Sequence, residues 1–201
     1  MKTLKFSNKE EWMQARVGKI TGTRLKDLIV KRGTGMKKGF YELIAERVAT
    51  PADDENVMDR GIRLEEESLK RFEKETGKKV DGSLVMWVSE ENESLAFSPD
   101  GTIGKTEAIE SKSLNSASHI EAFLTNEVPS EYDFQVLQAF IVNPKLETLY
   151  FAFYDPRVPA KDFFYFIIKR EEKELEIEQY KKEALDILEK VKGIVLSLTN
   201  F

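Results

Sequence analysis

The spacing of apolar positions along the chain alternates between helical and extended periods, and the order of the segments predicts an α/β protein. RLKDLIV (24–30) and KGFYELIAERVA (38–49) read as helices flanking a Gly-containing basic loop, with Thr21 and Thr23 available to cap the first. After the turn-like PADDEN, a helix is predicted from about Met58 to Thr76, stopped by Gly77. Extended segments follow from Lys79 to Val88, and then LAFS and EAIESK, two short strands joined by the Pro- and Gly-punctuated PDGTIGKT. Glu131 to Val142 reads as a helix. TLYFAFY and FFYFIIK are aromatic and β-branched runs expected to pair as an antiparallel hairpin across DPRVPAKD and to extend the central sheet. A last helix, from about Glu172 to Leu198, places Tyr180, Ala184, Ile187, Leu188 and Val191 on one packing stripe.

No repeat, low-complexity tract or linker divides the 201 residues, so the expectation is a single domain over 1–201. The chain has no cysteine, which excludes disulfides, thiol nucleophiles and cysteine-ligated metal and makes a cytoplasmic address the default. The N-terminus lacks an apolar signal core, and no run approaches the ~18 apolar residues of a spanning helix. Net charge is −5, which argues against a general nucleic-acid affinity. The average conceals an asymmetry, because from Gln14 to Phe40 there are eight Lys or Arg residues against one acid, Asp27. That run is either a solvated helix face or a phosphate-binding surface, and charge counting does not choose between them.

Candidate chemistry lies in the middle of the chain. Side chains alternate along a strand, so in EAIESK the residues Ala108, Glu110 and Lys112 share one face. An isolated Glu-x-Lys is usually a surface pair contributing little. Asp100, in the turn sequence SPDG, changes its weight: a strand returning from that turn brings Glu110 opposite Asp100, and two carboxylates and a lysine then converge. Such hard oxygens suit Mg²⁺ or Mn²⁺. A third carboxylate comes from MDRGIRLEEESLKRFE, where helical phase puts Glu65 on a stripe with Ile62, Leu69 and Phe72 and turns Glu66 and Glu67 toward solvent. A glutamate on a buried stripe is costly unless it is paired or binds metal.

SPDG, nine intervening residues and then E-x-K resemble the active site of the lambda-exonuclease-like branch, the YqaJ-type phage recombinases, of the PD-(D/E)xK nuclease superfamily. WMQARVGKITGT (Trp12 to Thr23), Gly61-x3-Glu65, Tyr132-x2-Gln135 and Phe153 to Arg157 are similar to further landmarks of that family in the same order. The resemblance implies a restriction-endonuclease-like core, a central mixed sheet flanked by helices. It also implies Glu65, Asp100 and Glu110 as metal ligands, with the Ser111 carbonyl completing the site. Lys112 would orient or activate the attacking water, and Arg16 and Thr23 would hold a terminal 5′-phosphate. Gln135 would sit beside the scissile phosphate, although Gln138 lies one turn away on nearly the same helical face. Ser113 to Pro129 departs from the family pattern, and the sole histidine, His119, has no assigned role and is expected at the surface.

The activity so implied is a Mg²⁺-dependent 5′-to-3′ exonuclease, Mn²⁺ substituting and two ions taking part, which acts on duplex DNA ends and leaves a 3′ overhang. By the same resemblance the chain would form a ring-shaped homotrimer and pass its product to a single-strand annealing protein. Two other readings stand beside it: an endonuclease on the same fold, which would cut closed circles, and a non-catalytic module that binds DNA ends.

Overall fold

The computed structural model describes residues 1–16, 19 and 57–199, and both segments expected to be helical between 24 and 49, with Thr21 and Thr23, lie outside them. Strand β1 (Lys2–Lys5) leads into helix α1 (Lys9–Ala15), whose N-cap Asn8 accepts a hydrogen bond from the Glu11 amide. Helix α2 (Val57–Thr76) ends as its sequence predicts, at Gly77, where φ is 71°. Then come β2 (Val85–Val88), β3 (Ala96–Phe97), β4 (Gly101–Ile103) and β5 (Glu107–Lys112). Helices α3 (Ser116–Thr125) and α4 (Asp133–Val142) precede the hairpin β6 (Thr148–Tyr154) and β7 (Phe163–Lys169), and α5 (Glu174–Thr199) follows.

The central sheet runs β4-β5-β6-β7, and its only parallel pair among the described residues is β5 with β6. A parallel neighbour requires a crossover, which α3 and α4 supply. The hairpin of aromatic strands forms as expected, in register from Thr148 opposite Lys169 to Tyr154 opposite Phe163. A second antiparallel sheet runs β1-β2-β3, and ahead of β2 an isolated bridge pairs Asp81 with Thr102 of β4.

Helices cover both faces of the central sheet. On one face Ala108, Leu149, Phe151 and Phe153 pack with Phe134, Leu137 and Phe140 of α4 and with Ile177 and Ala184 of α5. On the other, Ile109, Tyr150, Ala152 and Phe163 pack with Phe72 of α2, whose complete burial contributes about 1.5–3 kcal/mol. This is a mixed α/β fold of the PD-(D/E)xK type, as the sequence led us to expect.

Several elements differ from the sequence reading. PDGTIGKT is not only a turn: Gly101 to Ile103 forms β4, and the reversal narrows to the residues around Gly104. The extended run from Lys79 contracts to Val85–Val88, with Asp81 held by its bridge. Strand β1 and helix α3 were not foreseen. A two-sheet edge position hides β1's alternation, and the polar start SLNSAS masks α3, although Asn115 caps it by accepting from the Ser118 amide. In α5 the stripe holds at Tyr180, Ala184 and Leu188, but Val191 is half exposed. His119 is wholly buried rather than at the surface. Its ring meets Phe164 edge-on at 4.8 Å, and its Nε2 lies 2.8 Å from the Lys161 carbonyl.

Gly101, immediately after Asp100, has no room for a side chain: a Cβ there would stand 2.4 Å from Val80 Cγ1 and 3.0 Å from Ile109 Cγ2. Gly101→Ala should therefore destabilise the fold by about 1–3 kcal/mol in urea denaturation, as overpacking does. The double variant Val80→Ala/Gly101→Ala should recover part of that loss; no recovery would place the strain elsewhere.

Candidate active site

The β4–β5 register pairs Gly101 with Ile109, which sets Asp100 against Glu110 across the hairpin. Asp100 Oδ2 accepts a 2.7 Å hydrogen bond from the Ser111 amide, so the strand that carries Glu110 also fixes the opposing carboxylate. Glu110 and Lys112 share the face covered by α4, and Lys112 Nζ donates to Glu110 Oε1 at 2.6 Å. From α4, Gln135 Nε2 donates to the same oxygen. Gln138 is also buried but points away, donating to the Ala96 carbonyl at 3.2 Å, so the structure separates the two amides that the sequence left open. Both amides are buried, so neither lies on a solvated helix face.

Ser111 faces the other way, where its hydroxyl and that of Ser68 are 2.7 Å apart in the interior. Ser68 lies three residues after Glu65, so this contact ties α2 to β5 beside the cluster. The buried row of α2 is Leu64, Ser68 and Phe72, with Glu65 at its flank rather than at its centre. Glu66 is exposed, paired with Lys70, as predicted. Glu67 is only half turned to solvent, since it accepts hydrogen bonds from Arg63 and the Tyr154 hydroxyl. Ser68 escaped the sequence reading, although a serine among buried apolar positions was the available signal.

Electrostatics shows how closely the charged groups are gathered. Burial and repulsion from Asp100 push the Glu110 carboxyl up to about 8, against the pull of Lys112. Glu65 is pushed up to about 7, by burial and then by Asp100. Asp100 is raised by burial, with Lys112, the Ser111 amide and Arg16 opposing. Burial disfavours the charge on Lys112, but Glu110, Asp100 and Glu65 more than offset this and raise its proton affinity. Arg16, at the end of α1, stacks its guanidinium 4.3 Å from the centre of the Trp12 ring and interacts with Glu110 and Asp100. Of the residues singled out by sequence, then, Arg16, Glu65, Asp100, Glu110, Ser111, Lys112 and Gln135 come together, and Thr23 lies outside the described residues.

The donor chemistry fits a hard divalent cation. Glu110 Oε2 is buried without a hydrogen-bond partner, and three mutually repelling carboxylates surround the same region. As they stand, no three His, Asp or Glu side chains among the described residues are gathered on one point to hold an ion, and Glu110 Oε1 is engaged by Lys112 and Gln135.

Glu65 offers a test of this charge crowding. With its folded-state value raised, Glu65 contributes stability below its ordinary value near 4.5, and that contribution is lost as pH rises through about 7. In chelator, Glu65→Gln should melt several degrees above the parent at pH 8 and at the same temperature near pH 4.5. Equal melting temperatures at pH 8 would show that burial and Asp100 do not raise the Glu65 carboxyl.

Comparison with known proteins agrees with this geometry. Residues 11–145 match the YqaJ-like viral recombinase domain. Among solved structures the chain is similar to an alkaline exonuclease, LHK-Exo, from Laribacter hongkongensis, at 29% identity and a TM-score of 0.66, over 95% of this chain and 100% of that one. The same protein in complex with dAMP gives a TM-score of 0.67 with the same identity and coverage. A phage related exonuclease from Haemophilus somnus 129PT shares the fold, with a TM-score of 0.56 at 14% identity over 90% and 96% of the two chains. No curated protein matches the sequence. With the match running from α1 through α4 and the carboxylate cluster inside it, the chain belongs to the YqaJ-like viral recombinase domain family.

Proposed function

We propose that this protein is a Mg²⁺-dependent exonuclease that degrades one strand of linear duplex DNA from a 5′-phosphorylated end, in the 5′-to-3′ direction, and leaves a 3′ overhang. The observation that carries the reading is the convergence of Asp100, Glu110 and Lys112 from two strands of one hairpin, with Glu65 and Gln135 brought against them by helices on opposite faces. The similar alkaline exonuclease, and its complex with a mononucleotide of the kind such a reaction releases, support it.

Glu65, Asp100, Glu110 and the Ser111 carbonyl would hold Mg²⁺, or Mn²⁺ in its place, in two sites. Bound there, such ions supply a water of lowered pKa and neutralise charge on the departing 3′ oxygen. Lys112 keeps its proton beside Glu110, so its part is that of a charged donor that orients the water and phosphate rather than that of a free base. Gln135, held by Glu110, fixes the same carboxylate from the α4 side. Arg16 offers a planar fork for the terminal phosphate, with Thr23 as its partner in that role. Holding the end places the first linkage over the carboxylates and favours release of mononucleotides. A ring-shaped trimer around the duplex and a single-strand annealing protein that receives the overhang complete the reading; they rest on the family resemblance.

Asp100→Ala and Glu110→Ala should each be nearly inactive on linear duplex in Mg²⁺, and normal digestion by either would remove the assignment. End recognition is tested with duplexes that are 5′-phosphorylated, 5′-hydroxyl or covalently closed. The expected order of cleavage follows that sequence, with the hydroxyl end slowed at least about tenfold, since one charge-assisted contact contributes roughly 1.5–3 kcal/mol. Arg16→Ala should erase most of the preference for phosphate while slow cleavage persists. A circle cut as readily as the phosphorylated duplex would make the protein an endonuclease; no cleavage in either Mg²⁺ or Mn²⁺ would leave a DNA-end-binding module.

A further inference from the structure

The buried row of α2 is Leu64, Ser68 and Phe72, and its middle member is a serine with no exposed surface. On the strand side Ser111, also buried, turns its hydroxyl toward the helix, and the two hydroxyls stand 2.7 Å apart. Phe72 packs on Ile109 of the same strand. Apolar packing of that kind holds the helix to the sheet without fixing its place along it, because burial of apolar surface has no direction. A hydrogen bond weakens steeply once its partners part, and a buried hydroxyl left without a partner is costly. The serine pair is therefore the contact that resists sliding of α2 along β5. Other polar contacts of α2, from Glu67 to Tyr154 and from Arg71 to Asp162, do not touch the strand that carries Glu110. Ser68 follows Glu65 by three residues, one turn of the same helix, so their Cβ atoms are about 5–6 Å apart. Ser111 lies between Glu110 and Lys112, and its amide holds Asp100 at 2.7 Å.

We propose that Ser68 is a positioning residue for the metal site, whose contact with Ser111 sets where Glu65 stands relative to Asp100 and Glu110. The proposal deepens the metal-dependent nuclease reading and rests on it, since in that reading these three carboxylates and the Ser111 carbonyl are the ligands. Asp100 and Glu110 belong to one hairpin and are aligned by the pairing of β4 with β5. Glu65 comes from a separate element, and no backbone pairing reaches it. Mg²⁺ takes its oxygens at about 2.0–2.1 Å in a nearly ideal octahedron, a narrow tolerance. A helix rises about 1.5 Å per residue, so a slip of even part of one residue moves Glu65 by more than that tolerance. Ser68 touches neither ion nor DNA in this scheme; it acts through the placement of Glu65.

Mn²⁺ binding by the full chain, measured by calorimetry without DNA, reads the site apart from turnover. Ser68→Ala should bind Mn²⁺ about tenfold more weakly than the parent, the lower end of what losing a contact behind a metal ligand costs. The Mg²⁺ concentration that half-saturates cleavage of linear duplex should rise by the same factor. The double variant Ser68→Ala/Ser111→Ala separates placement from stability. Removing one hydroxyl leaves the other buried and unsatisfied, whereas removing both does not. The double variant should therefore melt closer to the parent than Ser68→Ala does, yet keep the loss of Mn²⁺ affinity, because the directional contact is still missing. Ser111→Ala alone keeps the strand's amide and carbonyl and should match Ser68→Ala, so it carries the test if Ser68→Ala does not fold. In a Glu65→Gln background Ser68→Ala should cost no further affinity. Three results would each overturn the proposal while leaving the metal reading intact: Mn²⁺ affinity in Ser68→Ala equal to the parent's, affinity that returns together with melting temperature in the double variant, or an undiminished loss in the Glu65→Gln background. If the parent binds no Mn²⁺, the metal-dependent reading itself fails, and the role of Ser68 with it.

Discussion

Two carboxylates facing each other across a short hairpin, Glu110 buried and Asp100 partly so, are the constraint to which this structure is fitted. Burying one unpaired carboxylate is costly, and a second beside it adds repulsion. Asp100 and Glu110 are held there because each contact that offsets the cost comes from the same few residues of β5 or from a helix packed on it. The Ser111 amide serves Asp100, and Lys112 serves Glu110. Gln135 reaches Glu110 from α4. The compensation is incomplete: both carboxyls still hold protons more tightly than they would in water, and an oxygen of Glu110 has no hydrogen-bond partner. A site left in that state attracts positive charge, which is the property a metal-assisted phosphodiester hydrolysis needs.

The alternation of β5 divides the labour between the two layers of helix. Its even positions, Glu110 and Lys112, look toward α4, and the odd position between them looks toward α2. Ser111 therefore has two contacts in two directions: amide to Asp100 and hydroxyl to Ser68. A shift of one residue in β4–β5 would exchange those faces and scatter the group, which is why the packing around Gly101 matters as much as the acids. Farther along, a buried knot of Asp155, Arg157 and Ser116 anchors the chain that leaves Lys112, with Arg157 also donating to the Leu114 carbonyl.

What could be read from sequence was what local pattern controls. Alternation gave the shared face of Glu110 and Lys112, helical phase turned Glu66 outward, and Gly77 marked a helix end that φ confirms. The residues that were missed owe their positions to tertiary contacts. Ser68 matters because it meets a serine 43 residues away, and His119 is buried because α3 docks against β7. Gln135 and Gln138 could not be separated by phase, since both are buried and only their partners on β5 and β3 distinguish them. Strand β4 was hidden for the opposite reason: Pro-Asp-Gly is a strong turn signal, and pairing with β5 overrode it one residue later.

The acidic balance of the chain, −5 overall, bears on how such a protein would engage DNA. Phosphate binding in general comes from a broad basic surface, and net negative charge works against it. In the exonuclease reading the attraction must therefore be local, and the described cations are not equivalent in supplying it. Lys112 is committed to the carboxylates, where its charge opposes the rise in their proton affinity. Arg16 caps a separate helix, where its guanidinium is stacked on the Trp12 ring and its charge acts on Asp100 and Glu110. In that reading such an arrangement would bind weakly along a duplex and firmly only where an end presents its phosphate over the acids. Selectivity for ends then follows from where a few charges stand, with no contact that reads a base.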